Sequence, residues 1–283
     1  MHAQAPVQPV RRDLDFDIPQ QITPEEVTNW HGQGRHVSHF FNALSVFFPE
    51  GERFFIHSVR HYRDRITDPA LQRDVQGFIG QEAMHGREHV EYNELMDKAG
   101  LPATKLDRFI GRLLERVKKV IPNSMQLAVT LALEHFTAML AHLVLTQPKA
   151  LAGSNPRLTA LWRWHALEET EHKAVAYDVY EKALGKGVGA YLLRCGALLI
   201  VSAIFLALMF VFHIMMIRAD KQARGIGGWL SLVKFLYFSP GALSRLLLPW
   251  LDYFRPNFHP WDHDNRELLA EVGPLSATYA ATR

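Results

Sequence analysis

WRWHALEETEH at 162–172 and FIGQEAMHGREH at 78–89 each carry a Glu-x-x-His pair, Glu169/His172 and Glu82/His85. On a helix, residues three apart share a face, so each pair can present a carboxylate and an imidazole to one metal ion. Each pair has a lone glutamate upstream in another apolar stretch: Glu52 in FFPEGERFFIH (47–57) and Glu134 in LALEHFTAML (131–140). Glu, Glu-x-x-His, Glu, Glu-x-x-His is the ligand order that lets a four-helix bundle hold two metals. One Glu-x-x-His means little; the ordered set is specific.

The surrounding sequence supports that bundle. Asp68 caps a helix opened by Pro69 and running to about Lys98, where Gly100-Leu101-Pro102 stops it. Asn155 and Pro156 open another that reaches about Leu184. Between them, helices are expected over roughly 104–119 and from Asn123 or Ser124 to Thr146. An earlier Phe-rich helix runs from His36 to Ile66, interrupted at Pro49-Glu50-Gly51. No useful alternating strand pattern occurs, so the fold class is all-α, a four-helix bundle with extra helices and a hydrophobic C-terminal segment.

The chain has 283 residues, 48% of them apolar, enough for a sizeable core. A net charge of +2, with no basic stripe interleaved with aromatics, sets nucleic acid aside. The single cysteine, Cys195, rules out an internal disulfide and fits a reducing compartment. Residues 1–35 contain no apolar run of secretory-signal length and read as a loose N-terminal arm, followed by the bundle over 36–189 and a hydrophobic helical region over 190–283. In that last region CGALLIVSAIFLALMFVFHIMMI, 195–217, has the length and composition of a transmembrane helix. Basic residues flank it on both sides, so orientation is not readable. The stretch 229–251, broken by Lys234, Arg245 and Pro240-Gly241, suits an interfacial helix better. Burial of 195–217 inside a large bundle or a homodimer interface is the competing expectation.

On the fourth helix His165, Glu169 and His172 fall close to one line, within about 40°. The expected metal ligands are therefore Glu52, Glu82, His85, Glu134, His165, Glu169 and His172. All lie among apolar neighbours, where an unpaired charge is costly. Glu50 competes with Glu52 and is assigned to the Pro-Glu-Gly break. His89 and Glu168 stand as extra ligands or as supports behind them; Glu88, Glu91, Glu94 and Glu171 read as a solvated face, and His57 and His61 as surface or support. Carboxylate with imidazole suits Fe, Mn or Zn, and the absence of thiolates argues against a structural zinc or an iron–sulfur cluster. The loop PNFHPWDHDN, with His259, Asp262, His263 and Asp264, offers either a second metal site or a cover for the bundle mouth.

Over roughly residues 40–184 the chain resembles the ferritin-like di-iron carboxylate superfamily. His165-x-x-x-Glu169-x-x-His172 is similar to the arrangement in di-iron arylamine N-oxygenases, where the extra histidine is a seventh protein ligand. The whole chain, with WHALEETEHKAVAYDVY (164–180) and YFRPNFHPWDHDN (253–265), resembles more closely a bacterial family catalogued as predicted metal-dependent hydrolases. The first resemblance implies two Fe ions and an O2-dependent oxidoreductase with an unidentified electron donor. Beside the apolar segment, this points to a small-molecule or lipid-like substrate and to the cytoplasmic side of a bacterial inner membrane. Hydrolysis by a metal-activated water is the alternative, and a non-catalytic metal-storage bundle is a third.

Overall fold

In the computed structural model, which describes residues 7–281, the chain is helical throughout, and an isolated bridge between Leu14 and Ala280 is the single β-type pairing among them. Four helices form the centre: α3 (Phe48–Arg60), α4 (Pro69–Lys98), α6 (Asn123–Thr146) and α7 (Pro156–His172). The short α1 (Ile18–Gln21), α2 (Arg35–Ser45), α5 (Ala103–Val120) and α8 (Val175–Leu184) surround them, with α9 (Val188–Ala219), α10 (Ile226–Tyr237), α11 (Ala242–Asp252) and α12 (Val272–Tyr279) completing the chain. The expected caps form. Asp68 accepts from the Ala70 N–H, and Asn155 accepts from Arg157 and Leu158. Gly185, at φ 78°, ends α8 in a conformation that favours glycine.

Of the two outcomes open at Pro49-Glu50-Gly51, a kink or the start of a second helix, the structure has the second: α2 ends at Ser45 and α3 starts at Phe48 with Pro49 in its first turn, where proline loses no hydrogen bond. One helix limit differs from expectation. The fourth helix divides directly after His172. There Lys173 leaves the bundle line and its ammonium donates to the His263 carbonyl and Asn265 Oδ1 at 2.6 and 2.7 Å.

Packing pairs α3 with α4 and α6 with α7. The apolar core falls into two clusters. One gathers Phe16, Trp30, Phe41, Phe48, Met84, Tyr92, Trp162 and Trp164; the other gathers Phe54, Phe78, Leu127, Leu131, Tyr177 and Tyr253. On α3 and α4 the expected ligands lie where one cluster gives way to the other, Glu52 between Phe48 and Phe54 and Glu82 between Phe78 and Met84, while Glu134 of α6 lies within the second cluster between Ala132 and Phe136. The bundle is thus an apolar solid cut by one polar layer.

Residues 1–6 of the expected loose arm lie outside the described residues; from residue 7 onward the arm is not loose. Pro9 and Arg11 lie directly on α4, where a Cβ on Gly77 would sit 2.1 Å from the Pro9 carbonyl oxygen and one on Gly80 2.8 Å from Arg11 Cβ. Leu14, Phe16 and Ile18 are buried, with Phe16 against Trp164 at 5.3 Å between ring centroids. Proline and charge hid an alternation in which every second residue from Leu14 to Ile18 points inward.

The stretch 195–217 lies within α9, which packs along α6 and α2. Both α6 and α9 are long and apolar enough to cross a membrane, but 67% of the apolar window of α6 is buried against 39% for α9. α6 is therefore a core helix, whereas α9 is one wall of the bundle with an apolar outer face. The stretch 229–251 forms two helices, α10 and α11, separated at Ser239-Pro240-Gly241. Their large apolar residues Leu230, Leu247 and Leu248 are more than half exposed.

Gly77→Val is expected to dislodge residues 9–12 and free the following apolar anchors, each worth about 1.5–3 kcal/mol if released. A lowered Tm and trypsin cleavage after Arg11 or Arg12 in the folded variant would show this; unchanged resistance to trypsin would refute it.

Candidate metal centre

All seven expected ligand residues converge in the polar layer, each no more than 3% exposed. One oxygen or nitrogen from each of Glu52, His85 and His165 lies within 4.8 Å of the others, and the same holds for Glu82, Glu134 and His172 and for Glu82, His85 and Glu169. Glu169 joins the first two groups: Oε1 is 3.0 Å from His165 Nε2, and Oε2 is 3.5 Å from His172 Nε2. Glu169 and Glu82 thus connect the neighbouring groups of side chains. Gly86 makes room for the first, since a Cβ there would come within 3.2 Å of Glu52 Oε2.

Two of the three imidazoles, His172 and His165, have the outer nitrogen in a hydrogen bond. His85 Nε2 lies 3.2 Å from Glu168 Oε2 without a hydrogen bond, and its Nδ1 lies 3.7 Å from Glu169 and 4.0 Å from Glu52. His172 Nδ1 lies 3.0 Å from the Gln81 Oε1 acceptor and so carries the hydrogen; Nε2 then faces Glu82, Glu134 and Glu169. For His165 the hydrogen is fixed by a chain: Ser45 Oγ donates to Asn93 Oδ1, His89 Nδ1 can donate to Ser45, and His89 Nε2 accepts from His165 Nδ1 at 2.9 Å. Fixing the outer nitrogen selects the tautomer and orients the ring for a metal.

His89 and Glu168 therefore stand behind His165 and His85 and support them. Glu171 and Glu88 do not form a solvated face; they are 8% and 1% exposed. Glu171 accepts from Gln81 Nε2 at 2.5 Å, Val10 N at 3.3 Å and both terminal nitrogens of Arg12 at 2.8 and 2.9 Å. Arg12 Nη1 also donates to Glu168 at 3.0 Å. One arginine from the arm thereby braces the carboxylate behind His85 and the carboxylate–amide pair behind His172. Nothing local in the sequence marks Arg12, Gln81, Ser45 or Asn93 for these roles; their partners are distant in the chain.

Electrostatics show how unusual this layer is. Burial, then the neighbouring carboxylates Glu169 and Glu134, raises the Glu52 carboxyl well above the ordinary range; Glu82 is raised in the same way. Burial, then Glu169, raises Glu134 to about 8. Although burial opposes it, Glu169 is held well below the ordinary range by His172 and His165. His172 is raised to about 9, chiefly by Glu169 acting against burial. Burial and the neighbouring histidines push His85 and His89 well below theirs. Both oxygens of Glu52, Glu82 and Glu134, with His85 Nδ1 and His172 Nε2, have no hydrogen-bond partner. Buried polar atoms are rarely left so, and inward-facing orphaned donors of this chemistry fit metal cations.

The loop residues do not build a second centre. His259 faces Asp178 at 3.1 Å, His263 faces Asp252 at 3.2 Å, and Asp262 accepts from Arg255 at 2.5 Å. Each is turned to a different partner. The loop lies against α6 and α8 instead, with the Phe258 carbonyl accepting from Tyr177 at 2.5 Å.

These features define a helical bundle built around a buried carboxylate–imidazole site suited to metals. The chain belongs to the family described as predicted metal-dependent hydrolase, whose model matches residues 10–264, a span that takes in Arg12 as well as all the central helices. No curated protein and no solved structure is significantly similar to it. The family description agrees with a metal-dependent enzyme and, on the reaction, with the hydrolytic alternative and not the oxidative one.

Arg12→Leu is expected to leave two buried carboxylates without their cation, a loss of about 3–5 kcal/mol, and to weaken metal affinity about 10–100-fold. Equilibrium unfolding and metal competition titration measure both; unchanged affinity would remove Arg12 from the support of the site. A raised folded-state pKa gives stability that is lost as pH rises through it. Metal-free protein should therefore lose stability between pH 4.5, the ordinary glutamate value, and about 8, where Glu134 ionises, and between 6.5 and about 9 as His172 loses its proton. Metal-loaded protein should not, because the cations replace those protons. The Tm difference between the two forms should widen across this window, and a constant difference would contradict the ligand assignment.

Proposed function

We propose that the chain is a dinuclear metal enzyme that oxidises an apolar substrate with dioxygen, using iron and an external electron donor. The observation that carries the dinuclear reading is the set of orphaned inward-facing atoms of Glu52, Glu82, His85, Glu134 and His172. Four carboxylates balance two divalent cations, and three neutral imidazoles complete the set, with Glu52, His85 and His165 at one ion and Glu82, Glu134 and His172 at the other. Mn or Zn would fit the same donors.

The oxidative reading draws on what borders the site. The apolar cavity that reaches Glu52 has only Glu52 and Thr137 as polar lining residues. Hydrolysis needs groups that hold a polar acyl or phosphoryl centre and protonate a leaving group; this lining supplies one hydroxyl. It suits a substrate that presents carbon–hydrogen bonds. Bound iron supplies one-electron chemistry with dioxygen, and the electron donor reduces the second oxygen atom to water. The chain's own part is to hold the ligands in place through Glu168, Gln81 and His89 and to exclude water with Phe48, Trp162 and Trp164. Thr137, one turn beyond Glu134, is the hydroxyl nearest the ligand layer on the cavity side.

Hydrolysis by a metal-activated water is the second reading, favoured by the family description. The apolar outer faces of α9, α10 and α11 support association with the cytoplasmic face of a bacterial inner membrane, where an apolar substrate is concentrated. A homodimer across the same faces is the competing arrangement.

Metal analysis with an assay separates the readings. Two Fe per chain, with reductant-dependent O2 consumption that Glu134→Ala and His85→Ala abolish, is the expected outcome. Zinc alone, no O2 consumption and ester hydrolysis by the same preparation would establish the hydrolytic reading instead.

A further inference from the structure

Beside the ligand layer, α3, α5, α6 and α9 do not meet fully. They enclose a cavity of about 380 Å³ that begins at Glu52 and Thr137 and continues along α6 as far as Met125. From Thr137 to Met125 this is twelve residues of helix, about 18 Å at 1.5 Å per residue. The remaining lining is aliphatic and aromatic. The outer wall is thin: Ile200 and Ile204 of α9 line the cavity while being 57% and 51% exposed. One surface of these side chains faces the cavity and another faces outside, among the exposed apolar residues Leu199, Phe210 and Leu192 of the same helix.

We infer that this cavity is the binding site for one long, unbranched acyl or alkyl chain, taken up through the apolar face of α9 with its reacting segment at Glu52 and Thr137. The inference rests on the enzyme reading for what happens to the chain, but not for its binding. Three features select this occupant. The cavity runs along about 18 Å of α6, a reach that suits one extended flexible chain. Its lining offers no polar recognition away from the ligand layer, so a headgroup has no place inside. The wall that can part is apolar on both faces, so a chain leaving a bilayer crosses no polar barrier. A cavity of this size and apolar lining is also one that water does not fill well.

Gly51, next to Glu52, provides the test. It lines the cavity, and a Cβ there meets no atom within 4 Å, so Gly51→Phe fills the inner end without moving the helix. The probe is cis-parinaric acid, whose fluorescence rises in a dry apolar site, titrated into full-length metal-loaded protein. Wild type should bind it, and Gly51→Phe should weaken binding at least about tenfold, the effect of a lost 1.4 kcal/mol, with metal content unchanged. Val129→Phe, which narrows the slot farther out on α6, should act alike and guards against a local effect at Glu52. Oleate in solution and phosphatidylglycerol vesicles serve as separate competitors: displacement by oleate alone assigns free fatty acid, and displacement by vesicles as well assigns membrane lipid. Either supports the site. No binding by wild type, or equal binding by both variants, overturns it, as would binding lost wherever the α9 faces pair in a dimer. If parinaric acid binds as described but the protein holds no metal, the enzyme reading fails and the chain site stands.

Discussion

Four glutamates and three histidines share one layer inside an apolar bundle, and the rest of the molecule answers to the cost of keeping them there. Each carboxylate removed from water carries a penalty of about several kcal/mol unless it is neutralised and hydrogen-bonded. Without cations the layer resolves the conflict by protonation: Glu52, Glu82 and Glu134 are driven toward the neutral acid, and Glu169 remains charged beside His172. With two divalent cations all four carboxylates can ionise together. The same residues are thus a liability in the empty bundle and ligands in the filled one, so the binding free energy of the metals is also folding free energy.

That cost reaches outward. The outer nitrogens of the three imidazoles face Glu168, Gln81 and His89, which are themselves buried and must be satisfied in turn. For His165 the chain ends in the neutral side chains Ser45 and Asn93. For the other two it ends in a second pair of carboxylates, Glu168 and Glu171, which require a cation of their own. Arg12 is that cation. The arm is therefore placed by electrostatic need at its head and by the burial of Leu14, Phe16 and Ile18 behind it, over a track that Gly77 and Gly80 keep open.

The seven residues that converge in the polar layer were legible in the sequence because helix faces are periodic. Glu-x-x-His is a statement about one helix face, and apolar neighbours place that face inside. The caps Asp68 and Asn155 were legible for the same reason: their signals span three or four residues. What could not be read is non-local. Glu171 and Glu88 look solvated from spacing alone, since only the folded arm covers them. Prolines and charges at 7–20 suggest a loose segment, while a short alternation and one arginine hold it down. The helix break at Lys173 likewise follows a partner ninety-odd residues onward, the loop at His263 and Asn265.

Helix α9 shows why hydropathy alone leaves its surroundings open. Its sequence is apolar on every side, and the structure gives those sides different tasks. One packs on α6 and α2, another closes the cavity beside Glu52, and the outermost remains uncovered. An isolated membrane span would need no such division, because lipid surrounds it all round. A wall helix of a wholly soluble bundle would carry polar residues outward, which α9 does not between Cys195 and Ile217 save for the buried Ser202 and His213. The uniform composition fits a helix whose inner face contacts an apolar cavity and whose outer face contacts an apolar medium. On that argument the polar layer and the exposed face are connected through the cavity by α9, whose Ile200 and Ile204 both line the cavity and stay exposed.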